Sequence, residues 1–113
     1  MQESLFTVAK LDDFVPSDHP LRAVQVLVNE ALGQLNSLFN SIYADTGRES
    51  IAPEKLIRAL LLQVFYSVRS ERQLMEQMRY NLLFRWFVGL ALDESTWDHS
   101  VFSKNRDRLL AHE

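Results

Sequence analysis

The fifteen residues EKLIRALLLQVFYSV, at 54–68, follow directly on Pro53, and before Ser67 only Arg58 and Gln63 interrupt their apolar run once Glu54 and Lys55 are passed. Proline is well placed as the first residue of a helix, where its missing N–H would have no intrahelical partner. A helix apolar on every side has to be surrounded by other elements. The segment therefore predicts a buried central helix, over about 54–67, with the rest of the chain arranged around it. Nothing elsewhere supplies sheet: no stretch alternates apolar and polar, and three glycines and three prolines in 113 residues are too few for the turns of an all-β domain. The expected fold class is all-α, a compact bundle of five to six helices.

The surrounding helices announce their ends. Pro20 stands at a helix start behind Ser17-Asp18-His19, and Leu21, Val24, Val28, Ala31 and Leu35 then recur at spacings of three and four. The pattern continues through Leu38, Phe39 and Ile42, and Gly33 leaves open whether this is one helix or two. Residues 1–19 read as an N-terminal arm with Leu5, Phe6, Val8 and Leu11 available for packing, residues 20–113 as one helical domain, and DTGRES at 45–50 as a connection. Ser70 and Gln73 form a capping box opening a helix with Leu74, Met75 and Met78 inward and Arg72, Glu76 and Arg79 outward. Asn81 caps the aromatic segment LLFRWFV, which Gly89 ends.

The closing stretch STWDHSVFSKNRDRLL, 95–110, has its own start signal. Asp98 is a good N-cap, and Trp97 before it and Phe102 four residues inside the helix make a hydrophobic staple, so a helix runs from about His99 to Leu110. At about 100° per residue Val101, Phe102 and Leu109 share the packing face. Ser100, Ser103, Lys104 and Asp107 lie opposite, with Arg106 and Arg108 on the flanks. Serines near a helix start and cations further along suit a duplex, because first-turn N–H groups and hydroxyls reach phosphate while guanidinium groups bind phosphate or guanine. Behind the capped helix at 70–79 this makes the C-terminal part helix-turn-helix-like, though the aromatic segment between the two lengthens the turn. The same pattern also fits an ordinary solvated helix face.

Composition bounds the alternatives. The net charge is −3, yet residues 1–47 carry two basic and six acidic groups and residues 48–113 carry ten and nine, so a polyanion would meet the second half. The absence of cysteine removes disulfides and thiolate metal sites and fits a cytoplasmic protein. Residues 1–17 lack a basic start followed by an apolar run, and no apolar stretch approaches the roughly 20 residues of a membrane span. Asp93, Glu94, Asp98 and His99 are the one acidic and imidazole cluster with a metal-like composition, but Asp98 is better used as a cap. No phosphate loop, H-E-x-x-H or nucleophile elbow is present. Phe84, Trp86 and Phe87 carry faces that bases stack on, yet their helical spacing beside Leu82 and Leu83 suits core. No catalytic residue, metal site or cofactor is expected in this chain.

Four stretches, LDDFVPSDHPLR (11–22), SIAPEKLIRALLLQVFYSVRSERQ (50–73), RSERQLMEQMRYNLLFRWFVGL (69–90) and WDHSVFSKNRDRLL (97–110), together resemble the N-terminal domain of bacterial insertion-sequence transposases of the IS-five-like group. The resemblance implies an all-helical domain that helps recognise the terminal inverted repeats of the element and precedes an RNase H-like domain. That second domain carries an Asp-Asp-Glu triad with two divalent metals for phosphoryl transfer. It carries Ser100, Ser103, Lys104, Asn105, Arg106 and Arg108 over as candidate DNA contacts and no catalytic residue. The first family Asp would lie beyond Glu113, so the chain is expected to end where the nuclease domain begins, as a dissected domain or a truncated product. The expected partners are transposon-end DNA, the missing catalytic domain and a second copy of the chain. A different class of function fits the same residues: a helical dimerisation or docking module without direct DNA contact.

Overall fold

The computed structural model describes residues 11–40 and 51–111, and every regular element among them is helical. Five helices are bounded at both ends: α1 (Pro20–Gln34), α2 (Pro53–Phe65), α3 (Glu71–Tyr80), α4 (Leu82–Val88) and α5 (His99–Leu110). Residues 11–14 and 36–40 are helical too, so the described residues hold seven helical segments where five or six were expected. Part of the surplus comes from a break near Gly33: α1 stops at Gln34, Leu35 makes a turn, and helix resumes at 36. Of the expected arm, residues 11–19 are described, and Leu11 and Val15 are buried in the core. Leu5, Phe6, Val8, Ile42 and the DTGRES connection lie outside the described residues.

Local chemistry sets the helix ends. The His19 imidazole accepts from the Leu21 N–H at 3.1 Å, capping α1 through Nδ1, with Pro20 at the first position. Ser70 Oγ accepts from the Gln73 N–H at 3.2 Å to start α3, and Asn81 Oδ1 accepts from Leu83 and Phe84 to start α4. Asn81 is also the C-cap of α3, so a single residue joins the two helices at a corner. Gly89 ends α4 at φ 93°, a left-handed backbone that glycine adopts without a Cβ penalty.

The central helix departs from expectation in two ways. It ends at Phe65, because Ser67 takes a left-handed φ of 53° and closes a Schellman turn: Val68 N–H bonds to Gln63 O at 3.0 Å and Ser67 N–H to Val64 O at 3.3 Å. It is also not enclosed. Leu56, Ala59 and Leu62 are fully buried along one stripe, Leu60 and Leu61 are half-buried, and Val64 is 72% exposed. Its neighbours α4 and α5 cover that stripe, Arg58 reaches across to α1, and the last turn around Val64 stands open to water.

The centre of the core is shared by α2 to α5, and Leu11, Val15 and Leu21 join it from the N-terminal side. Leu56, Leu62, Leu74, Met78, Phe87 and Phe102 are inaccessible to solvent, each contributing about 1.5–3 kcal/mol through removal of apolar area from water. The aromatic segment belongs to this core: Phe84, Trp86 and Phe87 are all buried. Arg85 is buried beside them at 5% exposure with backbone oxygens as its partners, Nη1 donating to Ala91 O at 2.5 Å and Nε to Arg79 O at 3.3 Å. It thereby ties the carbonyl end of α3 to the loop that leads into α5. No helix among the described residues is long and apolar enough to cross a membrane.

Candidate nucleic-acid interface

The α5 helix starts as its sequence dictates. Asp98 Oδ2 accepts from the Ser100 N–H at 3.0 Å and from the Ser100 hydroxyl. These bonds, the hydroxyl one foremost, hold the Asp98 carboxyl below its ordinary range, helped by nearby His99 and Arg72. Trp97 stacks on Phe102 with ring centroids 6.5 Å apart and planes 27° apart, closing the staple. The cap and staple fix both where α5 begins and which side of it faces the core.

The six expected DNA contacts do not share one surface. Ser100 and Lys104 are exposed, one turn apart, and Asp107 is exposed beside them. Ser103 is half-buried, and Arg108 is exposed. Asn105 faces the other way: it is 8% exposed, and its amide Nδ2 donates to Val101 O at 2.8 Å within the helix. Asn105 is therefore corrected from surface to interior, because it follows Phe102 by three residues and shares its face. Arg106 is half-buried between two carboxylates, bonding Glu71 of α3 through Nη1 and Asp107 Oδ1 through Nη2 at 3.1 Å. Its guanidinium locks α5 onto α3.

That lock shows how the two helices lie. Glu71, at the start of α3, meets Arg106 in the second half of α5, while Arg79 and Tyr80 at the end of α3 share a cleft with Trp97–His99. The helices are thus opposed neighbours, and the connection between them (81–98) contains all of α4. A simple helix-turn-helix joins its pair through three or four residues. The cleft between them has a volume of about 300 Å³, with Arg72, Met75, Glu76, Arg79 and Tyr80 on one wall. The sequence places Arg72, Glu76 and Arg79 outward, and the helix-turn-helix-like expectation pairs α3 with α5, but which residues face each other is a tertiary matter that the sequence does not give.

Two acids of the Asp93, Glu94, Asp98 and His99 cluster are engaged in backbone bonds. Glu94 Oε1 accepts from the Ala91 N–H at 2.8 Å, and Asp98 caps α5. Among the described residues no group of three or more His, Cys, Asp or Glu is placed to hold a metal ion.

Electrostatics divide the molecule along its length. Residues 51–111 carry nine basic against seven acidic groups, net +2, whereas residues 11–40 carry one against four, net −3. A polyanion is therefore drawn toward α2–α5 and away from α1.

Comparison with known proteins identifies a family. The family model described as a transposase domain, DUF772, matches residues 9–108, which takes in every element from the first described turn to most of α5. No curated protein and no solved structure gave a match. On the extent of the family match, the chain belongs to this transposase-domain family.

Proposed function

We propose that this chain is the DNA-recognition and assembly domain of an insertion-sequence transposase of the IS-five-like group, standing N-terminal to the catalytic domain and binding the element's terminal inverted repeats. The observation that carries the proposal is the outward face of α5, where Ser100 and Lys104 stand exposed on a helix whose opposite side is anchored by Phe102 and Arg106. A rigidly held helix with a cation one turn on from its start presents the first of a row of phosphate-binding groups, while the Ser100 hydroxyl already donates to Asp98. Arg108 and Ser103 extend that row, and Arg106 supports it through its ion pairs rather than by reaching outward. Cutting and joining of strands, with its divalent metals, belongs to the separate nuclease domain, so this chain is not itself an enzyme.

A second reading has an observation of its own. On α1, Val26 and Leu27 are 65% and 66% exposed, which suits a helix that docks on a second copy or on the catalytic domain. The two readings separate in one experiment, a salt series of duplex-binding isotherms on the wild-type chain and the Lys104→Ala/Arg108→Ala variant, with solution mass measured alongside. If each residue neutralises one phosphate, the variant's slope of log affinity against log salt becomes shallower by about 1.8. Superimposable isotherms, with self-association lost on Val26→Asp, would favour the docking module.

A further inference from the structure

We propose that the cleft between α3 and the start of α5 holds one unpaired nucleotide of a DNA strand, its base against Tyr80 and Trp97 and its phosphate on Arg72 or Arg79. The inference rests on the DNA-binding reading above but uses a surface distinct from the outward face of α5.

Size comes first. At about 300 Å³ the cleft lies at the small end of ligand pockets, room for a base with its sugar and not for a duplex. Its aromatic walls are the next observation. Tyr80 is 71% exposed at the end of α3, a large ring that the core does not use. Trp97 is half-buried and braced from behind by Phe102, so it offers a π surface that loses little freedom when a base stacks on it. Basic grooves with interleaved aromatic rings are how proteins take up unpaired strands, because every base has a face to stack.

The charges decide what kind of occupant fits. Arg72 and Arg79 are seven residues apart, two turns along one face of α3, and neither takes part in the ion pairs of the described residues. Glu76 stands between them on the same wall, and the ionised Asp98 faces it from α5. A free phosphate in the middle of the cleft would meet both carboxylates. A neutral base there would not, and an exocyclic amine on that base would donate to Glu76, as cytosine N4 does to acidic side chains. The phosphate then falls at the rim, on a guanidinium. The arrangement therefore selects cytosine over thymine, which lacks the amine.

The test uses the full chain with fluorescently labelled single strands of five deoxycytidines or five thymidines at low salt, read by anisotropy and by tryptophan emission. The deoxycytidine strand should bind about tenfold tighter than the thymidine strand, as expected for one well-placed contact to a base edge. It should also quench Trp97 saturably. Tyr80→Ala, at an exposed position that spares the fold, should weaken both strands about tenfold through loss of stacking. Glu76→Ala should abolish the preference between them. Lys104→Ala should leave deoxycytidine-strand binding within about twofold, since the sites are independent. If duplex binds through Lys104 while the single strands bind equally to wild type and Tyr80→Ala, or not at all, the cleft proposal falls and the duplex reading stands. Single-strand binding that depends on Tyr80, with no duplex binding, upholds the cleft and overturns the duplex reading.

Discussion

The α2–α5 body and α1 are held by different balances of apolar burial and polar contact. In the body, Leu56, Leu62, Leu74, Met78, Phe87 and Phe102 are out of reach of water, and four helices share them. In α1 only Leu21 and Leu32 of fifteen residues are buried, Val24 and Val28 pack half-buried against the core, and polar contacts add to that anchorage. Arg58 of α2 reaches across with both guanidinium nitrogens, Nη1 to Gln25 Oε1 at 2.6 Å and Nη2 to Asn29 Oδ1 at 2.5 Å. Burial there lowers the Arg58 pKa. At the other end Arg22 bonds Asp12 Oδ1 at 2.8 Å and Val15 O at 2.6 Å, and lies 5.0 Å from the centre of the Trp86 ring. Trp86 in turn donates to the same Asp12 oxygen at 3.0 Å. Apolar burial thus specifies the body, and a thinner apolar contact through Leu21, Val24 and Val28, together with a few directional bonds, sets where α1 lies against it.

The largest effects should come from the body. Phe87→Ala should cost about 3–5 kcal/mol and Leu62→Ala about 2–5 kcal/mol, measured by denaturant unfolding, because both side chains are fully enclosed. Leu61 is only half-buried, and its truncation should cost less than that of Leu62. Equal losses for Leu62→Ala and Val26→Ala would erase the distinction between the two regions.

A smaller effect should fall on α1 alone. Arg58→Met keeps the aliphatic stem and removes the fork, at a cost of about 1 kcal/mol. Hydrogen exchange should speed up in α1 while α3 to α5 keep their protection. Uniform loss of protection would mean that α1 and the body form one cooperative unit. Opposite in sign, Ser67→Gly should stabilise by up to about 1 kcal/mol, since glycine relieves the left-handed strain at the end of α2. A lower melting temperature for Ser67→Gly would show that the serine makes up for its backbone strain.

The smallest effect should appear on the acid limb. The bond from Trp86, then that from Arg22, lowers the Asp12 pKa below its ordinary value. A carboxyl depressed in the folded state adds stability above its unfolded pKa of about 3.9, and that stability disappears as pH falls through the folded value. Asp12→Asn should therefore flatten the loss of stability below about pH 4, by a small amount because the group is solvent-screened. An acid limb identical in the two proteins would remove Asp12 from the clamp.

What could be read from the sequence was what neighbours in the chain decide. Ser70, Asn81 and Asp98 cap their helices, Gly89 takes the left-handed turn, and Trp97 meets Phe102, all through contacts within five residues. Burial was less legible wherever it depended on which helix stood opposite. The run around Val64 and Phe65 reads as core by composition, but Val64 stands in water and Phe65 is only partly covered, beside the start of α1. Asn105 misled by residue type, although a step of 100° per residue puts it about 60° from Phe102 and hence inward. Arg106 reads as a phosphate ligand until Glu71, 35 positions earlier in the chain, is found against it. The cleft of Arg72, Arg79 and Tyr80 has no local signature, because its other wall arrives after the whole of α4.

The central claim is that DNA meets the body through the outward face of α5, and amide chemical-shift mapping with a short duplex at low salt tests it most directly. The account predicts that the largest shifts fall at Ser100, Ser103, Lys104 and Asp107, that they fade as salt is raised, and that Val26 and Leu27 of α1 stay where they are. Shifts concentrated at Val26 and Leu27, with α5 unmoved, would contradict it.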